Sequence, residues 1–236
     1  MAAHRLRGGV PRRGEWIVVL AAAMLLWIGA WPAAAGPAAT GATASDPVGA
    51  VMRPAVPGRG ADLHKGLFLV ASRSLIDPNF QETVILLVDH GADGTRGLII
   101  NRPTDIPFAE ALPEVEALHK LKDTVYVGGP VARYLISLLV RADQPPDDTL
   151  EVFDAVYFSH KLGALLHLLD RPRAGVSMRA YVGHAGWAAR QLDREIQRGD
   201  WHLARADADA IFDTPPGQVW PTLIDRLDPH LLQARR

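Results

Sequence analysis

Two runs of branched apolar residues, Thr83-Val-Ile-Leu-Leu-Val-Asp-His90 and Gly97-Leu-Ile-Ile-Asn101, flank Gly91-Ala-Asp-Gly94. Glycine takes positive φ without steric cost, and branched side chains suit a half-buried pleated surface, so residues 83–101 predict a β-hairpin. Arg102-Pro103-Thr104 ends it, because proline cannot donate to a central ladder. The rest of the chain must fold around this antiparallel pair. Residues 67–71 form a short apolar run after a glycine and predict a buried strand. Residues 124–127 predict another, closed by Gly128-Gly129-Pro130. Residues 135–140 and 152–158 predict a second hairpin around the Pro145-Pro146-Asp-Asp loop, and residues 177–182 and 201–206 predict later strands. Helices are expected over residues 108–122, weakened by Pro113, and after Ser159, with Leu162, Leu165, Leu166 and Leu169 on one stripe. Two more are expected over residues 188–198, stopped by Gly199, and 219–227. Hairpins mixed with three to four helices, without regular βα alternation, predict an α+β fold in one compact domain.

The first 35 residues read as an address. Arg5, Arg7, Arg12 and Arg13 precede an apolar run from Trp16 to Ile28, and Ala33-Ala34-Ala35-Gly36 follow. Basic, apolar and small-residue regions in that order are the secretory signal pattern. The same run approaches the ~20 apolar residues that span a bilayer, so an uncleaved inner-membrane anchor is the alternative. Residues 36–62 are rich in Pro, Gly, Ala and Thr without apolar period, which predicts a linker, and the domain is expected over residues 63–236. An exported, periplasmic domain is the expectation.

Charge and composition exclude several functions. Before Gly36 the ionisable side chains besides His4 sum to +3, so a whole-chain charge of −1 leaves −4 on the remainder. A mildly acidic domain argues against nucleic acid as a partner, since phosphate backbones demand clustered Lys and Arg. There are no cysteines, which excludes disulfides, thiolate metal sites and cysteine nucleophiles. No His-Glu-x-x-His and no histidine pair at i, i+4 is present, so neither a metal nor any other cofactor is implied. Gly175-Val-Ser-Met-Arg179 begins like a nucleophile elbow, but Arg179 stands where the closing glycine belongs.

Several stretches together resemble the YqgE/AlgH family: Gly66-Leu-Phe-Leu-Val-Ala-Ser72, Asp77-Pro-Asn-Phe80, Thr83-Val-Ile-Leu-Leu87, and His90 with Gly97-Leu-Ile-Ile-Asn-Arg-Pro-Thr104. Gly128-Gly-Pro-Val131 and Gly183-His-Ala-Gly-Trp187, with Gln191-Leu192 and Glu195, complete the pattern. The resemblance implies a coiled, partly split mixed sheet and no established activity, under a label of transcriptional regulator. The chain departs from the family at Glu82, where a basic residue is usual, at His184, where an aromatic is usual, and at Ala188-Ala189-Arg190. Family members are usually cytosolic.

Three groups of residues are candidates for a site. Asp77-Pro78-Asn79-Phe80 is turn chemistry, or else Asp77 and Asn79 face a ligand from a strand edge. The hairpin carries His90 near Arg96 or Gly97 at the turn, and Asn101 and Arg102 back towards Asp77 and Asn79. There the guanidinium fork either grips a carboxylate or phosphate or fixes the loop. Gln191 and Glu195 are neighbours on a helical face. They are either the solvated flank of an amphipathic helix that also anchors Gly186 and Trp187, or Glu195 faces a cleft beside His184, where Gly183 and Gly186 let a ligand approach the backbone. The expected function is a non-enzymatic binding or accessory domain of the cell envelope, recognising a protein or a small anionic ligand. The alternatives are the regulator of the family label and an unrecognised hydrolase using His184 as base and Glu195 as orienting carboxylate.

Overall fold

The computed structural model describes residues 63–170 and 175–227. The predicted signal segment and linker lie outside the described residues. In chain order the strands are β1 (Leu67–Ala71), β2 (Val84–Gly91), β3 (Gly94–Ile99), β4 (Pro103–Pro107), β5 (Thr124–Val127), β6 (Val131–Arg141), β7 (Leu150–Phe153), β8 (Val156–Ser159), β9 (Ser177–Ala188) and β10 (Trp201–Arg205). The helices are α1 (Phe108–Ala111), α2 (Leu162–Asp170), α3 (Gln191–Arg198), α4 (Ala208–Phe212) and α5 (Pro216–Leu227), with a 3-10 segment at Glu116–Lys120.

The sheet runs β10-β1-β2-β3-β9-β6-β8-β7, and β4 pairs with β5, which pairs with β9. All pairings are antiparallel except β5 with β9. The sheet curls until its two ends touch. Lys65 Nζ donates to the Glu151 carbonyl at 2.8 Å, and Arg205 bridges Asp154 at 3.2 Å, so β1 and β10 meet the β7–β8 turn. Inside the curl Phe68, Val70, Leu86 and Leu98 pack against Phe158 and Tyr181, and Ile211 of α4 with Val219 and Ile224 of α5 plug it. Outside, Leu69, Ile85, Leu87 and Ile99 are covered by Trp187, Leu192 and Trp201. On the other half Ile136, Leu138 and Val182 are covered by Phe108, Leu118 and Leu165. Strands buried on both faces lose the in–out alternation of a half-exposed sheet, which is why β1 reads as an unbroken apolar run.

β9 joins the two halves of the sheet. Up to Val182 it pairs with β6 and β5, and from Ala185 onward with β3. Tyr181 points inside the curl, yet Ala185 and Trp187, at the same parity, lie outside it. Gly183 makes that switch, with φ +70. A left-handed residue inserted in a strand re-aims every side chain after it. Gly128 and Gly129 cross it so closely that a Cβ on Gly128 would stand 2.4 Å from the Gly183 carbonyl oxygen, and one on Gly129 2.2 Å from the His184 carbonyl carbon.

The first hairpin forms as predicted, while the second is arranged differently. β6 pairs with β8, and β7 folds back on β8 through Asp154 and Ala155, both at positive φ. An Asp-Ala pair lacks the glycine that usually marks a left-handed turn, so residues 152–158 read as one strand. The predicted helix over residues 108–122 breaks into α1 and the 3-10 segment on either side of Pro113. β9 continues to Ala188, and Arg190 at φ 60 delays α3 to Gln191. The fold adds α4, started by Asp207 accepting from the Asp209 amide at 3.1 Å, so among the described residues five helices flank the sheet.

Candidate functional site

The hairpin brings Asn101 and Arg102 to the loop over residues 77–83. Asp77 Oδ1 accepts from the Asn79 amide at 2.8 Å and from Asn79 Nδ2 at 3.1 Å, closing an Asx turn. Asn101 Oδ1 accepts from the Val84 amide at 2.9 Å while its Nδ2 donates to the Glu82 carbonyl at 3.0 Å. Arg102 Nη1 donates to the Asn79 carbonyl at 2.6 Å, and its Nη2 donates to the Gln81 and Pro78 carbonyls at 3.0 and 3.3 Å. The guanidinium therefore clasps loop backbone. Burial lowers its pKa while the nearby Asp77 opposes that shift. His90 stands one residue closer to the turn than expected, with Nδ1 2.7 Å from Thr95 Oγ1.

The loop and the second group of candidates form one unit through Phe80. Its ring stacks on Trp187 at 6.2 Å and meets Trp201 edge-on at 5.7 Å. Glu195 holds both tryptophans: Oε2 accepts from Trp187 Nε1 at 2.8 Å and from Trp201 Nε1 at 3.0 Å. Its other oxygen accepts from Gln191 Nε2 at 3.0 Å, and Gln191 Oε1 accepts from the Ala188 amide at 3.1 Å. A third tryptophan, Trp220, donates to the Ala71 carbonyl at 2.8 Å and pins α5 to β1.

His184 does not meet Glu195. Trp187 and Ala185 lie on the outer face of β9, so His184 and Gly186 lie on the opposite one. The His184 ring is 3.7 Å from where a Cβ on Gly186 would sit. Burial lowers the pKa of His184, and the charge of Arg96, on the strand opposite Gly186, lowers it further. Burial, Lys161 and Arg96 lower that of His160 in the same way. The predicted base and its orienting carboxylate are separated by the sheet. Among the described residues no group of three or more His, Cys, Asp or Glu side chains could hold a metal ion.

A cleft of about 870 Å³ opens elsewhere, where the 3-10 segment, the end of α2 and the start of β9 converge on β5 and α4. Arg179 lies in its wall. Its guanidinium centre sits 4.8 Å from the Tyr126 ring centroid, and Nη2 donates to the Phe212 carbonyl at 3.1 Å. Nη1 is buried, and the guanidinium faces the Tyr181 hydroxyl behind it. The neighbouring carboxylate of Asp213 is already gripped by Arg141 at 2.6 and 3.0 Å, which holds its pKa low. The Tyr181 ring stands 5.5 Å from that of Tyr126, and burial pushes its phenol far above the usual range, while the charge and hydrogen bonding of Arg179 oppose that shift. A phenol oxygen accepts as well as donates, so the phenol is an acceptor for the guanidinium. The sequence carried a signal for this site: Arg179 alternates with Tyr181 along a strand apolar enough to be buried, and a charge there demands a partner.

Comparison with known proteins agrees with the architecture. Residues 68–232 match the AlgH-like family, DUF179. A UPF0301 protein of Marinomonas sp. (strain MWYL1) is 35% identical over 158 residues, covering 65% of this chain and 84% of that protein. One from Anaeromyxobacter sp. (strain K) is 32% identical over 169 residues, 68% of this chain and 86% of its own. Among solved structures, protein DIP2367 of Corynebacterium diphtheriae superposes with a TM-score of 0.62 at 26% identity, covering 72% of this chain and 91% of that one. The AlgH protein of Pseudomonas aeruginosa, a UPF0301 member, gives 0.58 at 28% identity over 72% of this chain and 92% of its own. The chain belongs to the AlgH-like, UPF0301 family.

Proposed function

We propose that this chain is a non-enzymatic binding domain of the cell envelope whose ligand is a small anion, taken up in the cleft beside Arg179. The single observation behind this reading is the charge of the cleft lining, where Arg179, Lys120 and Lys122 stand against one carboxylate, Asp123. A cleft lined by one sign of charge concentrates ligands of the other. The earlier candidates favour the same conclusion from the other side. Arg102 and Glu195 hold loop carbonyls and indole N–H groups, which leaves them tied to the fold.

Titration with the anionic dye 8-anilinonaphthalene-1-sulfonate tests the site. The dye is expected to bind saturably, and Arg179→Gln to weaken it by about tenfold, or 1.4 kcal/mol. The variant gives up the Tyr126 contact and the bond to the Phe212 carbonyl, so it is expected to lose about 1–3 kcal/mol of stability and to remain folded. Dye binding that is unchanged in a folded Arg179→Gln protein rules the site out. The envelope assignment is supported by the order of basic, apolar and small residues before Gly36. Fractionation of a C-terminal reporter fusion is expected to find the domain across the inner membrane. Recovery from the cytosol with Met1 still attached refutes that assignment and reopens the regulator reading.

A further inference from the structure

The Arg179 cleft is larger than an inorganic anion needs, and apolar side chains line part of it. We infer that its ligand is an amphiphilic organic anion, with one acidic head on an apolar body. This rests on the binding reading above and adds the chemical class.

The head is set by Arg179. Its Nη2 is engaged with the Phe212 carbonyl and its Nη1 is buried, so the guanidinium contributes its charge to the cleft rather than a two-pronged grip. That suits a singly charged head such as a carboxylate or sulfonate. Lys120 and Lys122 stand exposed at the rim with one carboxylate, Asp123, so the mouth favours an anion over a cation. These surface lysines attract without fixing a pose, as flexible point charges do.

The body is set by the walls. Leu168 and Leu169 of α2, with Met178 of β9, supply one apolar side, and Tyr126 and Phe212 supply aromatic surface beside the guanidinium. A cleft of about 870 Å³ is in the size range of small-molecule sites, whereas phosphate alone leaves most of it to water. Apolar area that the body buries against these walls adds to the affinity that the head supplies.

Three probes separate the possibilities in the intact protein: 4-phenylbutyrate, its neutral analogue 4-phenylbutanol, and inorganic phosphate. Binding is read by calorimetry and by backbone NMR shifts at Tyr126, Met178 and Phe212. The expected result is saturable phenylbutyrate binding, weaker by about tenfold for the alcohol and for Arg179→Gln, with no saturation by phosphate at the same concentrations. Phosphate binding as tightly as phenylbutyrate, and through Arg179, overturns the apolar body while leaving the small-anion reading intact. Alcohol binding as tightly as the acid overturns the anionic head. If none of the three binds, both this inference and the proposed function fall.

Discussion

Replacing Glu195 with alanine is expected to cost about 3–5 kcal/mol of stability, although no chemistry depends on it. One oxygen of this carboxylate accepts from two indole N–H groups, at 2.8 and 3.0 Å. Trp187 and Trp201 are 5% and 4% exposed, so neither indole has water to turn to when the acceptor goes. Each orphaned donor carries about 1–3 kcal/mol, and the released Gln191 loosens its hold on the Ala188 amide at the end of β9. In a domain of this size 1 kcal/mol moves Tm by about 2–4 °C, so a fall of roughly 10 °C is expected. Glu195→Gln keeps an accepting oxygen for the indoles but sets its own NH2 against that of Gln191, and should cost about 1–2 kcal/mol. Urea unfolding followed by tryptophan fluorescence measures both. An alanine variant within 1 kcal/mol of the parent would mean that the indoles find other partners, and that Glu195 is free for a ligand after all.

That expectation differs from what the residues suggested by themselves, and the reason is instructive. The local elements were readable: β1 and β5 occupy the predicted residues, and β2 and β3 meet across the Gly91–Gly94 turn. Hairpin geometry is short-range, so it also carried Asn101 and Arg102 to Asp77 and Asn79. What the geometry could not supply was the direction of the loop backbone. Its carbonyls turn towards Arg102 and occupy the fork that looked ready for a ligand. Non-local pairings were hidden altogether. That β6 pairs with β8 depends on a turn at Asp154 and Ala155, and alanine rarely takes positive φ. β4, with proline at both ends, shows no strand signal, and pairs with β5 at Pro103 and Pro107.

The two candidate regions and the cleft together describe one division of labour. The residues that looked functional, because they are polar and clustered, stabilise the outer face of the curled sheet through Phe80 and the paired tryptophans. The residue that looked like a failed nucleophile motif, Arg179, lies in the wall of the cleft with Lys120 and Lys122 at its rim. Polar groups matched to their neighbours report on stability, whereas cations gathered around an open cleft point to a partner. His184 is the instance that separates the two halves most sharply, since its distance from Glu195 follows from a single backbone angle three residues before Gly186.

That angle belongs to Gly183, and Gly183→Ala is expected to destabilise the protein by about 2–5 kcal/mol or to prevent folding. Two effects add. A left-handed conformation costs a non-glycine residue about 1–2 kcal/mol. The new Cβ would also stand 2.5 Å from the Gly129 carbonyl oxygen and 2.9 Å from that of Val131, and these are backbone atoms that cannot rotate aside. Forcing extra volume into such a contact typically costs 1–3 kcal/mol more. Two companion variants separate the terms. Gly199 has φ +85 with nothing within 4 Å of a Cβ, so Gly199→Ala reports the conformational cost alone, about 1 kcal/mol. Gly186 has ordinary φ and its nearest neighbours at 3.7 Å, so Gly186→Ala should be tolerated within about 0.5 kcal/mol. Chemical denaturation ranks the three. If Gly183→Ala proves no worse than Gly199→Ala, the strand crossing is loose, and the side-chain switch that puts His184 and Glu195 on opposite faces is not enforced by packing.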